Sequence, residues 1–219
     1  MKNRRVDLIL AEVKESDTVL NIGCAGHDFT DKEVWLHRLL WQKAKRVVGI
    51  DTSLPDAAEQ DQEYNMVKAD AETMQLNEEF DIIVAGELIE HLSNPGSFLE
   101  HAREHLKSDG RLVLTTPNPW DWVRLTKAVL KVPSTPCQQH LCWYDRETIT
   151  HLLSHHGFSV DRVEFVPRIP YAGDKGLGLM RGMLERVLSY ISIGLYYVGL
   201  RQIASSGLYV KCSLIPRAE

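Results

Sequence analysis

The chain has 219 residues, 44% of them hydrophobic, which is enough for one substantial core and one domain over 1–219. A net charge of -5 lacks the basic balance of a general nucleic-acid binder, so no nucleic-acid partner is expected. Four cysteines, at 24, 137, 142 and 212, form neither a C-x-x-C pair nor a zinc spacing, and read as reduced thiols of a cytoplasmic protein. The basic start at 1–5 leads into an apolar run that Asp7 and Glu12 interrupt, which is not the pattern of a signal peptide.

In chain order, an apolar strand at 18–23 runs into the turn Gly23-Cys24-Ala25-Gly26. A helix over 31–43 follows, with Val34, Trp35, Leu36, Leu39 and Leu40 as its apolar stripe. The strand at 46–51 ends in Asp51, and further strands are predicted at 65–69, 80–86 and 111–116. Asn94 is placed to cap a helix over 95–106, with Pro95 in its first turn and Gly110 beyond its end. A segment at 117–145, containing a helix at 120–131, reads as a lid. A helix at 146–156, capped by Asp145 and stopped by Gly157, precedes strands at 158–166 and 207–215. Strands alternating with helices give an α/β fold with a Rossmann-like, doubly wound, seven-stranded sheet. An apolar insertion at 167–206 separates the last two strands.

The turn at 23–26 and Asp51, one helix later, have the layout of a nucleoside-binding βαβ unit. Glycine lets backbone approach the ligand, and the carboxylate can accept bonds from ribose hydroxyls. Gly23-Cys24-Ala25-Gly26 does not supply the G-x-G-x-x-G of a nicotinamide-dependent oxidoreductase. Taken with 67–71 (VKADA), 80–92 (FDIIVAGELIEHL) and 106–118 (LKSDGRLVLTTPN), the ordered motifs resemble the class I S-adenosylmethionine-dependent methyltransferases. The resemblance covers roughly 15–165 and the final strand, and implies that this strand runs antiparallel between the fifth and sixth. It implies that Asn21, Gly23, Cys24, Ala25 and Gly26 face the methionine part of S-adenosylmethionine, and that Asp51 faces the ribose. Asp70 and Ala71 would flank the adenine, and Gly86 would complete the cofactor set. Two positions depart from the family pattern: Asn21 replaces the acidic residue of the first motif, and Ala25 its second glycine.

On the acceptor side, Glu87, Glu90 and His91 fall at i, i+3 and i+4, which share one face of a helical turn. Glu-x-x-Glu-His resembles the same string in the ubiquinone-biosynthesis and small-RNA 3′-terminal O-methyltransferases. There, both glutamates, the histidine and a later histidine bind a divalent ion. His140 is the candidate for the later histidine, and the set suits Mg²⁺, Mn²⁺ or Zn²⁺. The alternative is metal-free chemistry with His91 or His140 as base, assisted by Glu87. An Asn-Pro-Pro-aromatic string is missing, which points away from exocyclic amines and toward oxygen. The expected acceptor is a small-molecule hydroxyl, first a sugar or uronic acid of a glycan or glycolipid precursor, then a quinol or phenol. A non-catalytic methyltransferase-fold binding protein is the rival from another class.

Trp120, Trp122, Trp143 and Tyr144 flank this side as ring platforms or as packing. The apolar stretch at 176–200 has an uncharged run, 187–200, shorter than the ~20 residues a spanning helix needs. It reads as a substrate cap, a homodimer face, or an interfacial helix touching the cytosolic face of a membrane.

Overall fold

Strand β1 (Thr18–Ile22) is buried on both faces from Val19 onward, so it must be hydrogen-bonded on both edges and covered above and below. It pairs in parallel with β2 (Arg46–Asp51) on one side and β4 (Phe80–Gly86) on the other. The computed structural model describes residues 4–26, 35–55, 62–131, 139–167 and 179–216. Beyond β2 lies β3 (Met66–Lys68), and beyond β4 lies β5 (Leu106–Pro117), both parallel to their neighbours. β7 (Ser205–Leu214) runs antiparallel between β5 and β6 (Phe158–Pro167), giving the order β3-β2-β1-β4-β5-β7-β6. This is the seven-stranded, doubly wound sheet that the sequence predicts, antiparallel last strand included.

Alternate residues of each strand feed two cores. Val19, Ile82 and Val84 pack with Leu8 and Ile9 of α1 (Arg4–Glu12) and Leu40 of α2 (Leu36–Lys43). Leu20, Ile22 and Ile83 pack with Phe98 and Leu99 of α3 (Pro95–Glu104) and Ile149 and Leu153 of α5 (Arg146–His155). Both predicted caps form. Asn94 accepts from Ser97 N–H at 3.0 Å, and Asp145 and Thr148 make a reciprocal capping box. Between β5 and α5 lies α4 (Trp122–Val129), started by the Asp121 carboxylate on Val123 N–H. The insertion contributes α6 (Leu179–Tyr197) and the short α7 (Arg201–Ala204).

Three elements differ from expectation. Helix α1 was not among the predicted elements: Asp7 and Glu12 break the apolar run in sequence, yet Leu8 and Ile9 are buried while Glu12 pairs with Lys211 at 2.8 Å. β5 starts at Leu106 and absorbs Gly110; Phe80 faces Leu106 while Ile82 faces Arg111, so the chain bulges between them. The helix predicted over 31–43 is described as α2 from Leu36, and 31–34 lie outside the described residues. So do Cys137 and residues 168–178 of the insertion.

The sheet order reverses between β1 and β4, whose carboxyl ends open side by side. In doubly wound sheets this is where ligands bind. The approach of β2 to the loop after β1 depends on Gly49, where a Cβ would meet His37 Cε1 at 2.6 Å and Cys24 Sγ at 2.8 Å. Gly49→Ala is therefore expected to cost about 1–3 kcal/mol, lowering the melting temperature by about 3–10 °C in a thermal unfolding experiment.

Candidate active site

The backbone leaves β1 through Gly23 at φ +76°, a conformation that glycine adopts without strain. Gly23 N–H and Cys24 N–H both donate to Ile50 O, at 2.9 and 3.2 Å, which ties the turn to β2. Asp51 then joins the two loops. Its Oδ2 accepts from Ala25 N–H at 3.0 Å, and its Oδ1 accepts from Ser53 N–H at 2.9 Å and Ser53 Oγ at 2.7 Å. A carboxylate offers about four acceptor positions, so Asp51 keeps capacity for a ligand hydroxyl.

A cavity of about 250 Å³ opens here, lined by Gly23, Asp51, Asp70, Ala71, Leu88 and His91 among others. Of the expected cofactor residues, Gly23, Asp51, Asp70 and Ala71 thus meet in one hollow. Asp70 folds on its own turn, with Oδ1 accepting from Glu72 N–H at 2.9 Å. Ala25 contributes its N–H to Asp51, and Gly26 is exposed beside it. Cys24 turns its buried thiol away from the cavity; burial first, and the Asp51 charge second, push it up to about 12. Gly86 ends β4 against Leu36 and Thr115, outside the cavity lining.

Asn21 lies on the opposite face of β1. Its amide meets His37 Nδ1 at 3.1 Å, and His37 Nε2 donates to Tyr64 O at 2.8 Å. That assigns the Asn21 amide as donor and the imidazole as neutral, in keeping with the burial that lowers the His37 pKa. A roomier groove of about 480 Å³, lined by residues such as Arg146, His151 and Arg162, lies between α5 and β6. It holds none of these residues and is away from the carboxyl ends of β1 and β4.

The acceptor side is built after β4. Glu87 N–H donates to Thr115 O at 2.9 Å, and Glu87 itself adopts φ +52°. A non-glycine residue there carries backbone strain, of order 1 kcal/mol or more. A 3-10 turn at Ile89–His91 follows. Glu87, Glu90 and His91 consequently do not share the regular helical face that their spacing predicts. Glu87 turns to α1, where its Oε2 pairs with Arg5 Nη1 at 2.6 Å.

Glu90 is buried, with Oε2 accepting from Thr116 Oγ1 at 3.1 Å. Burial first, and the neighbouring Glu87 charge second, push its carboxyl up to about 8. The Glu90 carbonyl accepts from Leu141 N–H and Cys142 N–H, which pins the loop carrying His140. His91 Nδ1 donates to Gln139 O at 3.2 Å, so Nε2 bears the lone pair. The His91 and His140 rings stand nearly perpendicular, 4.5 Å apart. Burial, and then His91, lower the His140 pKa.

Glu90, His91 and His140 each bring a ligand atom within 4.8 Å of the others. Glu90 Oε1 and His140 Nδ1, like Glu87 Oε1, are buried with no hydrogen-bond partner among the described residues. Glu87, the fourth expected ligand, is outside this group of three. Sequence reading missed the partners that set this geometry: Arg5, Thr116, the Gln139 carbonyl, and Arg124, which stacks 4.5 Å over Trp143 beside His140. None has a motif of its own; Arg5 was legible only as part of a basic start.

Comparison with known proteins bears on family and fold. A methyltransferase domain family model matches residues 2–163. No curated protein sequence matches the chain. Among solved structures, an S-adenosylmethionine-dependent methyltransferase of Archaeoglobus fulgidus aligns at 17% identity and TM-score 0.62, over 96% of this chain and 91% of that one. Magnesium protoporphyrin IX methyltransferase of Synechocystis, with bound S-adenosylhomocysteine, aligns at 14% identity and TM-score 0.61, over 98% and 83%. The Burkholderia thailandensis 1,6-didemethyltoxoflavin-N1-methyltransferase, with bound 1,6-didemethyltoxoflavin and S-adenosylhomocysteine, aligns at 14% and 0.58, over 97% and 77%. At such identities the likeness is one of fold. The family match, which spans most of the chain, shows what the fold suggests: the chain belongs to the methyltransferase domain family.

Proposed function

We propose that the chain methylates a hydroxyl oxygen of a small acceptor, with a divalent ion held by Glu90, His91 and His140. The observation that carries this reading is a pair of buried polar atoms without partners among the described residues, Glu90 Oε1 and His140 Nδ1, converging with His91 within 4.8 Å. A buried carboxylate and imidazole left unpaired are costly, and a cation relieves both at once. One carboxylate with two imidazoles suits Zn²⁺ or Mn²⁺ better than Mg²⁺, which prefers oxygen ligands. When bound, such an ion lowers the pKa of a hydroxyl and orients a neighbouring one.

S-adenosylmethionine supplies an electrophilic methyl group, so the protein's task is alignment and proton removal. Gly23 lets the backbone approach the cofactor, and Asp51 and Asp70 provide acceptors for its hydroxyl and amine groups. His91 lines the cofactor cavity and also belongs to the acceptor cluster. With Nδ1 held by Gln139, its Nε2 is placed to receive the hydroxyl proton. That makes His91 the base in a metal-free version of the same reaction. Trp143, 42% exposed and edge-on to His140, offers a flat face for a sugar or phenolic ring. A sugar or uronic-acid hydroxyl of a glycan or glycolipid precursor is the first acceptor to test, and a quinol or phenol the second.

Asp51→Ala is expected to weaken binding of S-adenosylmethionine by about tenfold or more in titration calorimetry, equivalent to ~1.4 kcal/mol. Adding Mn²⁺ or Zn²⁺ at about a hundred times its dissociation constant should raise the melting temperature of the wild type by about 5–10 °C. The same addition should not shift Glu90→Gln. Turnover undiminished after chelation would decide for His91 as a metal-free base. Because the folded Glu90 carboxyl is raised from 4.5 to about 8, its stabilising neutral form is lost as pH rises through that interval. Metal-free Glu90→Gln should therefore melt above the metal-free wild type at pH 8 and beyond, with the difference vanishing near pH 4.5.

A further inference from the structure

Helix α6 lacks the polar outer face of an ordinary surface helix, being apolar at its half-buried positions Leu188, Ile193 and Leu195 and on its outward side as well. Its protein-facing side carries two buried serines, Ser189 and Ser192, the second accepting from Trp122 Nε1 of α4 at 2.8 Å. Its outward side carries Met183, Val187, Tyr190, Ile191 and Tyr197, at i, i+4, i+7, i+8 and i+14. All five are exposed, Tyr197 by 83%, and Val198 continues them past the helix end. A Cβ added at Gly194 or Gly199 would meet nothing within 4 Å, so nothing described in the protein covers this side. Helix α4 adds exposed Leu125 and Val129, one turn apart. An exposed apolar face of this extent needs a partner.

Charge decides which partner. The segments 122–131 and 179–204 contain six basic residues and one acidic residue, within a chain of net charge -5. Arg186 and Lys131 are exposed, and Arg201 stacks over Tyr196 at 5.4 Å. A two-fold dimer through this face would set the patch against its own copy, cation against cation. An anionic lipid surface meets both features, taking the aliphatic side chains into the acyl boundary, the tyrosines at its level and the cations among the headgroups. No helix among the described residues is long and apolar enough to cross a membrane, so the contact lies in the interfacial plane.

We propose that the α4–α6 face docks the enzyme on an anionic lipid surface, and that the acceptor is an amphiphile whose polar head is methylated there. The link to the site is direct: Arg124 of α4 stacks on Trp143, whose ring lies 5.7 Å from that of His140. An acceptor head at the two histidines therefore lies next to the docked helix, and its tail stays in the bilayer. The docking stands by itself; the amphiphilic acceptor rests on the methyl-transfer reading above.

The test is co-sedimentation of the full chain with phosphatidylcholine vesicles, with and without one-third phosphatidylglycerol, paired with calorimetric titration of S-adenosylmethionine. Binding to the anionic vesicles is expected, with at least about tenfold weaker binding to neutral ones. Val187→Asp with Ile191→Asp should weaken binding about tenfold or more, and Arg186→Gln or Lys131→Gln about fivefold each. All these variants should bind S-adenosylmethionine as the wild type does. A chain that binds S-adenosylmethionine but no anionic vesicle overturns the docking. So does an aspartate pair that splits a dimer in gel filtration while leaving sedimentation unchanged, which assigns the face to a second copy. Vesicle binding without S-adenosylmethionine binding upholds the docking and overturns the amphiphilic acceptor together with the methyl-transfer reading.

Discussion

Everything at the site depends on how two buried parallel strands end. β1 and β4 sit at the centre of the sheet, and their backbones must turn away at the same edge without leaving N–H groups unpaired. After β1 the solution is Gly23 in the left-handed region, with two N–H groups on Ile50 O. After β4 it is Glu87 in a similar conformation, with its N–H on Thr115 O. The first turn costs little because glycine has no Cβ, whereas the second is strained. That strain tilts Glu87 toward Arg5 and starts the short turn that carries Glu90 and His91. The cavity beside Gly23 and the group Glu90, His91 and His140 are thus two products of one backbone problem, and His91 belongs to both.

The carboxylates around the site meet their electrostatic demands in different ways. Asp51 is met by backbone and hydroxyl donors, and Glu87 pairs one oxygen with a guanidinium while its Oε1 has no partner among the described residues. Glu90 has one hydroxyl donor, and burial first and the neighbouring Glu87 charge second favour its neutral form. Under the first strand, Asn21 avoids a fourth charge altogether. A carboxylate facing the buried His37 would call for a protonated ring, which burial opposes; an amide pairs with the neutral imidazole, which is free to donate to Tyr64 O. The departure from the family's acidic residue therefore has a local complement, set where Gly49 makes room for His37 and Cys24.

The strands and caps were legible because their signals are local: apolar runs of strand length, Asn94 and Asp145 before helices, and glycine after β1. Gly23, Asp51, Asp70 and Ala71 were legible for the same reason, since the fold brings the ends of β1, β2 and β3 to one edge. Asn21 and Gly86 fall elsewhere because side chains alternate across a strand, and a motif read as a string does not say which face each letter takes. Helix α1 was missed because its acidic residues were weighed against a leader pattern rather than a 3.6-residue period. The separation of Glu87 from Glu90 and His91 could not be read from an i, i+3, i+4 spacing, which assumes an α-helical turn where the chain makes a strained residue and a 3-10 turn.

The two halves of the acceptor side are held by unlike forces, and this bears on how the enzyme meets its acceptor. His91 follows Glu90, which Thr116 at the end of β5 holds, while its own ring bonds the Gln139 carbonyl. His140 sits on a loop held by two N–H bonds to the Glu90 carbonyl and by rings reaching out to Arg124. Loops held by few contacts open at lower free energy than the strands beneath them. The inner wall of the site is therefore set by folding, whereas the outer wall is coupled to α4 and, through Trp122 and Ser192, to the apolar helix α6. Helix α6 touches α4 through Ser192 and Trp122, and α4 touches the ring against which His140 packs through Arg124. Under the proposed docking, a surface that binds this face would order the loop of His140 at the same time, so that docking and acceptor recognition would be energetically linked rather than merely adjacent.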